Sequence, residues 1–449
     1  MKNWINYLFV FLFLQQAPWS MGQEELSAQQ AVFKALENNY DVLIAQKRQE
    51  IASRNNRWSE AGLFPTVSLN AGFNNTVQDN SKNPFTFTPG VILMQGMNPS
   101  LSANWNLFSG FAVRVNKQRL EQLEQQSEGN ALVVIENTAH DVLKAYYTAV
   151  LQKSRLKLYQ KLADYSRKRV RYYELREKYS SSNSLEVLQY KNQYLTDSTN
   201  VLIQEISYNN SLRNLNLLLN LPEEELNNVA RFTLTDSLQV DLPLIEFNSS
   251  RDQLFASNQN LKNQYLALEL QQSAVELQKS FLYPTLSFQT GITPSYSWLR
   301  DLKNPDVKFS TQALSYYGNI NLRYTLFNNW KNKRAVETAR IQKEIAELST
   351  EQMKKGLTTN LSSLIDLYAA RTRLLSISEQ NMSYAEQLLD MGEQRFELGS
   401  INSVELLNIQ NSYYSTLTQH YENLFNRLDT YLEIYKLCGQ LGLSYSKGE

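Results

Sequence analysis

Two ten-residue segments restrict the fold of this chain more than anything else in it: FPTVSLNAGF, beginning at Phe64, and YPTLSFQTGI, beginning 219 positions later at Tyr283. Each opens a stretch where apolar and polar residues alternate, the period of a strand with two unlike faces. In the first, Val67, Leu69 and Phe73 alternate with Ser68, Asn70 and Asn74; further on Leu101, Ala103, Trp105 and Leu107 alternate with Ser102, Asn104 and Asn106. In the second, Leu286, Phe288 and Ile292 stand against Ser287, Gln289 and Thr293, then Ile320, Leu322, Tyr324 and Leu326 against Asn319, Asn321, Arg323 and Thr325. The pattern predicts four strands in two hairpins, over 65–108 and 284–327.

The same offset aligns Asn106-Leu107-Phe108 with Thr325-Leu326-Phe327, Asn183-Ser184-Leu185-Glu186 with Asn402-Ser403-Val404-Glu405, and Asn39 with Asn258. One spacing across these landmarks makes the chain a two-fold repeat, 23–220 and 249–441, each copy too long for a solenoid unit. Pro222, Pro243 and a lost helical period mark a connector at 221–248, and 442–449 forms a tail. Around the hairpins the period is helical. Ser27 is placed to cap a first helix, and proline-free stretches at 112–179 and 331–397 carry heptads such as Leu132, Ile135, Ala139, Val142 and Leu357, Leu361, Leu364, Tyr368. At 1.5 Å per residue each long helix would span about 100 Å. Return helices are expected over 184–220 and 403–438, after reversals at 180–183 and at Leu398-Gly399-Ser400, where Gly399 suits the left-handed residue beyond a helix end.

Composition removes several functions. Forty-four basic residues balance forty-four acidic ones, so no basic field awaits a phosphate backbone and nucleic acid is not an expected partner. One cysteine excludes an internal disulfide framework. His140 and His420 stand singly on helical stretches, and no phosphate loop, nucleophile elbow or metal-ligand spacing occurs, so neither enzyme activity nor a cofactor is expected. Residues 1–22 read as a signal peptide: one lysine, an apolar run from Tyr7 to Leu14 too short to span a bilayer, and small residues before Gln23.

Four alternating strands have two solutions. They could pack one face on the chain's own helices, making a soluble periplasmic coiled-coil scaffold or adaptor. Alternatively they cross a membrane, for which their length of about ten residues is sufficient. Trp105, Tyr283, Tyr296 and Trp298 near strand ends and long loops at 78–99 and 294–313 favour the membrane. In that case Ser68, Asn70, Asn104, Asn106, Gln289, Asn321 and Arg323 face a lumen, while Val67, Leu69, Phe73, Trp105, Phe288, Leu322 and Tyr324 face lipid. Lipid demands that every backbone group be paired, and four strands cannot close a barrel. Copies of the chain must then pool their hairpins, two giving eight strands and three giving twelve.

With NWNLFSG at 104–110 and RYTLFNN at 323–329 marking the strand exits, the sequence resembles the TolC-like outer-membrane efflux protein family over essentially the whole mature chain. The resemblance implies a mostly α fold with a transmembrane β-barrel portion: a homotrimer with a twelve-stranded barrel in the outer membrane and a twelve-helix periplasmic tunnel. It implies an exit duct for a tripartite drug efflux pump or for type I secretion, partnered by a periplasmic adaptor (membrane fusion) protein and an inner-membrane RND or ABC transporter. It also implies a pore constriction at the second reversal, RFELGSINSVELLN from Arg395. There Glu405 takes the first acidic place, Asn408 replaces a second acidic residue, Phe396 stands where a hydrogen-bonding aromatic occurs, and Ile401 replaces a basic residue. One carboxylate ring in place of two would favour cations. A second role stays open for Glu405, favourable electrostatics at a helix N-terminus. The tip turns, Gly399 and Ser400 in one repeat and Ser182 and Asn183 in the other, are where the resemblance implies adaptor docking.

Overall fold

The computed structural model describes residues 24–86, 89–179, 184–229, 231–304 and 306–441. The signal-peptide segment, the tail, Ser182 and Asn183 lie outside the described residues. In chain order the elements are β1 (Glu24–Leu26), α1 (Ala28–Asn38), α2 (Tyr40–Asn55), β2 (Thr66–Asn70), β3 (Phe73–Asp79), β4 (Val91–Met97), β5 (Ser100–Ser109), α3 (Ala112–Lys178) and α4 (Ser184–Leu218). After a single turn at Glu223–Leu226 come β6 (Phe232–Leu234), α5 (Phe247–Ser257), α6 (Gln259–Ser280), β7 (Thr285–Asp301), β8 (Lys308–Arg323), α7 (Lys331–Glu397) and α8 (Ser403–Leu437). They form two compact units, one from 24–46, 131–259 and 355–441, the other from 47–130 and 260–354. The long helices α3 and α7 contribute to both.

In the first, helical unit, Ser27 starts α1 with a reciprocal cap: its hydroxyl accepts from the Gln30 N–H at 3.2 Å while the Gln30 side chain accepts from the Ser27 N–H at 2.9 Å. Asp236 of the connector accepts from the Ala28 N–H at 2.6 Å. The connector also adds β6 in parallel to β1, an element of three residues, too short for any period to reveal. Tyr146 ties the two together, donating to the Leu26 carbonyl at 2.8 Å, and burial pushes its hydroxyl up to about 12.

Side-chain bonds along the long helices of this unit link α4 to α3, α3 to α8 and α8 to α7. Gln204 of α4 donates to Gln152 of α3 at 2.7 Å; Lys144 of α3 pairs with Asp429 of α8 at 3.0 Å; Arg371 of α7 donates to the Asn426 carbonyl of α8 at 2.7 Å. The heptad positions Ala139, Val142, Tyr146, Leu215 and Leu428 fill the core between them, each large apolar side chain stabilising by about 1.5 to 3 kcal/mol. The duplication is visible in hydrogen bonds. Asn39 ends α1 and donates its amide to the Leu218 carbonyl at 3.2 Å; Asn258 ends α5 and donates to the Leu437 carbonyl at 2.9 Å. Donors and acceptors are both 219 residues apart.

Helices α4 and α7 keep apolar stripes uncovered. On α4, Leu188, Leu195 and Leu202 are each more than 60% exposed at seven-residue spacing, and on α7 Leu374, Ile377, Tyr384, Leu388 and Met391 follow 3,4 spacing and are exposed.

In the second unit all six strands of one sheet pair antiparallel. The 17-residue β7 is its spine: β5 pairs with its first half, β4 with its second, and β8 runs along its whole other edge. β2 and β3 then pair with β5 and β4 on the far side. The sequence predicts four strands, and six are found because the first hairpin breaks in both arms. Pro99 has no N–H to give the ladder, so β4 and β5 separate there, and an Asn98 N–H to Gly72 carbonyl bond of 2.9 Å bridges both breaks. Strands of about ten residues are corrected too: β7 and β8 have 17 and 16. The expected loops at 78–99 and 294–313 shrink to 80–90 and 302–307. Continuously apolar VILM at 91–94, Pro294 inside β7 and the polar run STQ at 310–312 interrupt strict alternation, which hid those strand ends. Among the described residues the outer edges of β8 and of β2 and β3 have no partner, and every residue of β8 is exposed. No described helix is long and apolar enough to cross a membrane.

Candidate functional site

Residues opposite each other in a ladder share a face, so the register sorts the sheet. One set of rows runs Leu69, Leu101, Ile292, Tyr316; then Val67, Ala103, Thr290, Gly318; then Trp105, Phe288, Ile320; and Leu286 with Leu322. The other runs Asn70 with Ser100; then Ser68, Ser102, Gly291, Tyr317; then Asn104, Gln289, Asn319; then Asn106, Ser287, Asn321; and Thr285 with Arg323. Ser68, Asn70, Asn104, Asn106, Gln289, Asn321 and Arg323 thus lie on one face. Val67, Leu69, Trp105, Phe288 and Leu322 lie on the other, joined by Phe73 through its pairing with Met97 and Tyr296. Tyr324 follows the last residue of β8, outside the ladder.

Alternation alone misplaces one residue. A bulge between Asn106 and Phe108 makes Leu107 the extra residue, and Phe108, opposite Leu286, continues the apolar face instead. Polar groups on that face are satisfied inward. Thr290 donates its hydroxyl to the Tyr317 carbonyl at 2.9 Å, and the Trp105 indole N–H donates to the Leu63 carbonyl at 2.7 Å. Meanwhile Leu69 is 78% and Leu322 71% exposed, large apolar side chains with nothing of this chain over them.

The second candidate region is the α7–α8 reversal in the helical unit. Gly399, at φ +70°, takes the left-handed place beyond α7. Its N–H bonds the Phe396 carbonyl at 3.0 Å and the Ser400 N–H bonds the Arg395 carbonyl at 2.9 Å, satisfying two free carbonyls of the helix end. Asn402 then caps α8, accepting from the Glu405 N–H at 2.9 Å while the Glu405 carboxylate accepts from the Asn402 N–H at 3.2 Å. Glu405 and Asn408 are exposed and Ile401 is half-buried. Glu405 therefore serves as helix cap and exposed charge together.

Phe396 is half-buried and is met by a cation. The Arg169 guanidinium lies 4.8 Å from its ring centre and 5.0 Å from that of Tyr165, whose hydroxyl accepts from Arg169 Nε at 3.0 Å. Behind it Tyr173 and Tyr190 stack at 4.5 Å, and burial pushes the Tyr190 hydroxyl well above its ordinary range. The sequence did not single out Arg169, Tyr173 or Tyr190; two tyrosines on heptad seams were the only signal.

Both histidines are buried. His140 is buried beside Asp141, its Nδ1 3.2 Å from the carboxylate, and His420 Nδ1 lies 2.9 Å from the Ser378 hydroxyl. Among the described residues no group of three or more His, Cys, Asp or Glu side chains is placed to hold a metal.

The outer membrane efflux protein family model matches residues 31–221 and 251–440, one segment for each repeat. Among solved structures the chain is similar to CusC, described with respect to transmembrane channel formation, at a TM-score of 0.71 and 16% identity, covering 96% of each chain. It is similar to the Campylobacter jejuni outer membrane channel CmeC at a TM-score of 0.71 and 13% identity, covering 92% of this chain and 85% of that one. The Neisseria gonorrhoeae outer membrane channel MtrE, in its open state, gives a TM-score of 0.68 and 15% identity, with 92% and 89% covered. No curated protein matches the sequence. With both repeats matched in full order, the chain belongs to the outer membrane efflux protein family.

Proposed function

We propose that three copies of this chain assemble into a passive outer-membrane exit channel, without enzyme activity, for the substrates of a tripartite efflux pump or a type I secretion system. The observation that carries the reading is a sheet with one polar face, one exposed apolar face and two unpaired edges. Such edges are intolerable in hydrocarbon unless another copy pairs them. Three sheets of four ribbons give a twelve-ribbon closed barrel with a polar lumen and an apolar belt toward outer-membrane lipid. The stripes left uncovered on α4 and α7 call for the same partners, since a heptad seam in water is buried by other helices. Export by the segment 1–22 would bring the chain to that membrane.

In this assembly Glu405 forms a ring of three carboxylates favouring cations, and the turn at Gly399 and Ser400, with Ser182 and Asn183 of the other repeat, meets a periplasmic adaptor that joins the channel to an inner-membrane pump. The test is a detergent extract of membranes carrying the full chain, imaged as single particles and reconstituted in planar bilayers. Three-fold particles and discrete conductance steps are expected. A monomer that stays in buffer without detergent would refute the proposal.

A further inference from the structure

Within that channel reading, on which this inference rests, the geometry points to Gly291 and Tyr317 as a pair that sets lumen width: the tyrosine ring lies flat on the polar wall because its cross-strand neighbour has no side chain. Ser102, Gly291 and Tyr317 form one row of the polar face. A Cβ at residue 291 would stand 2.7 Å from the Tyr317 hydroxyl oxygen and 2.9 Å from its Cζ, closer than carbon atoms approach. The far end of the ring therefore occupies the space of the missing side chain, folded across β7 rather than standing out from β8. Tyrosine folded onto a glycine of the neighbouring strand also covers backbone that glycine leaves bare.

The adjacent residue supplies the contrast. Tyr316 points to the apolar face opposite Ile292, a branched side chain, and is 69% exposed; Tyr317, opposite glycine, is 37% exposed. Residue type and strand are the same, while the cross-strand partner and the face of the sheet both differ. Along the polar face of β8 between Phe309 and Arg323, Tyr317 is the one aromatic residue among Thr311, Ala313, Ser315, Asn319 and Asn321. By three-fold symmetry an upright ring would recur three times at one level of the lumen. Laid down, it removes that obstruction while leaving the charge of the pore unchanged.

Single-channel conductance of the detergent-purified full chain in planar bilayers tests this. Tyr317→Ser should leave conductance unchanged, because the ring is already against the wall. Gly291→Ala should lower it by lifting the ring into the pore, and adding Tyr317→Ser to Gly291→Ala should restore it. The double variant separates ring displacement from strand distortion, since a Cβ at 291 would also stand 2.7 Å from the Leu101 carbonyl oxygen. Should Gly291→Ala not assemble, Ser315→Tyr places a ring on the same face opposite Thr293 and should lower conductance too. A wider channel from Tyr317→Ser alone, or an unchanged one from Ser315→Tyr, overturns the inference. A wild-type protein that forms three-fold particles but never conducts refutes the channel reading itself.

Discussion

Across the paired long helices of the first repeat the buried bonded group is an acid; across those of the second it is a base. Asp197 of α4, 1% exposed, accepts hydrogen bonds from the Ser166 hydroxyl of α3 and, at 2.9 Å, from the Gln193 amide. His420 of α8, 4% exposed, meets Ser378 of α7. The residues 219 positions away are Thr416 and Val201, so neither group has a counterpart in the other copy. Duplication has kept the backbone plan and its asparagine caps while each copy acquired its own polar interior. One physical cause, loss of water, acts on both with opposite sign: burial raises the pKa of Asp197 and lowers that of His420.

The harshest way to break the likeness of the repeats is to put arginine into each hairpin. Leu69→Arg in the first and Leu322→Arg in the second should each cost about 2 to 4 kcal/mol of assembly in lipid, while Asn70→Arg and Asn321→Arg cost far less. Trimer yield after detergent extraction measures this, and equal yields within either pair would contradict the assignment of faces. Next come the caps. Asn258→Ala should lose about 1 to 3 kcal/mol because its amide bond is buried, and Asn39→Ala, half-exposed, less. Thermal melting of both variants sharpens the comparison, and reversed order would break it.

Smaller again is Glu405→Ala, which removes one half of the reciprocal cap on α8 at about 0.3 to 1 kcal/mol. Its larger readout is ion selectivity: bilayer recordings should show cation preference reduced, and unchanged preference leaves Glu405 only the cap. The smallest expected effect is on pH. With its folded pKa raised, Asp197 contributes stability that is present below its unfolded pKa, near 4, and lost as pH rises through the folded value. With its folded pKa lowered, His420 contributes stability present above about 6.5 and lost as pH falls through the folded value. Mild acid should therefore loosen α7–α8 and favour α3–α4. Hydrogen exchange resolved by helix, corrected for intrinsic rates, should show that divergence, and Asp197→Asn with His420→Gln should abolish it.

Much of the fold is legible in the sequence because its periods are long. Heptads unbroken by proline mark the helices, an offset of 219 marks the duplication, and alternation groups residues within a strand. Grouping between strands needs register, which alternation does not carry, and the bulge at Leu107 shows how one inserted residue defeats it. The strand ends were hidden where Pro99 and the VILM run depart from period two. Around Phe396 the partner cation comes from Arg169, on another helix and 227 residues earlier, a contact no local pattern records. Asp197 reads like any helix-surface acid until α3 covers it.

The bare edge of β8 has a cost for as long as it stays bare. Lys308 and Arg323 stand at its two ends and no charge lies between them, so nothing along the strand repels an unrelated strand that tries to add to it. If the chain assembles as proposed, a lone copy is thus a template for runaway stacking until another copy covers that edge.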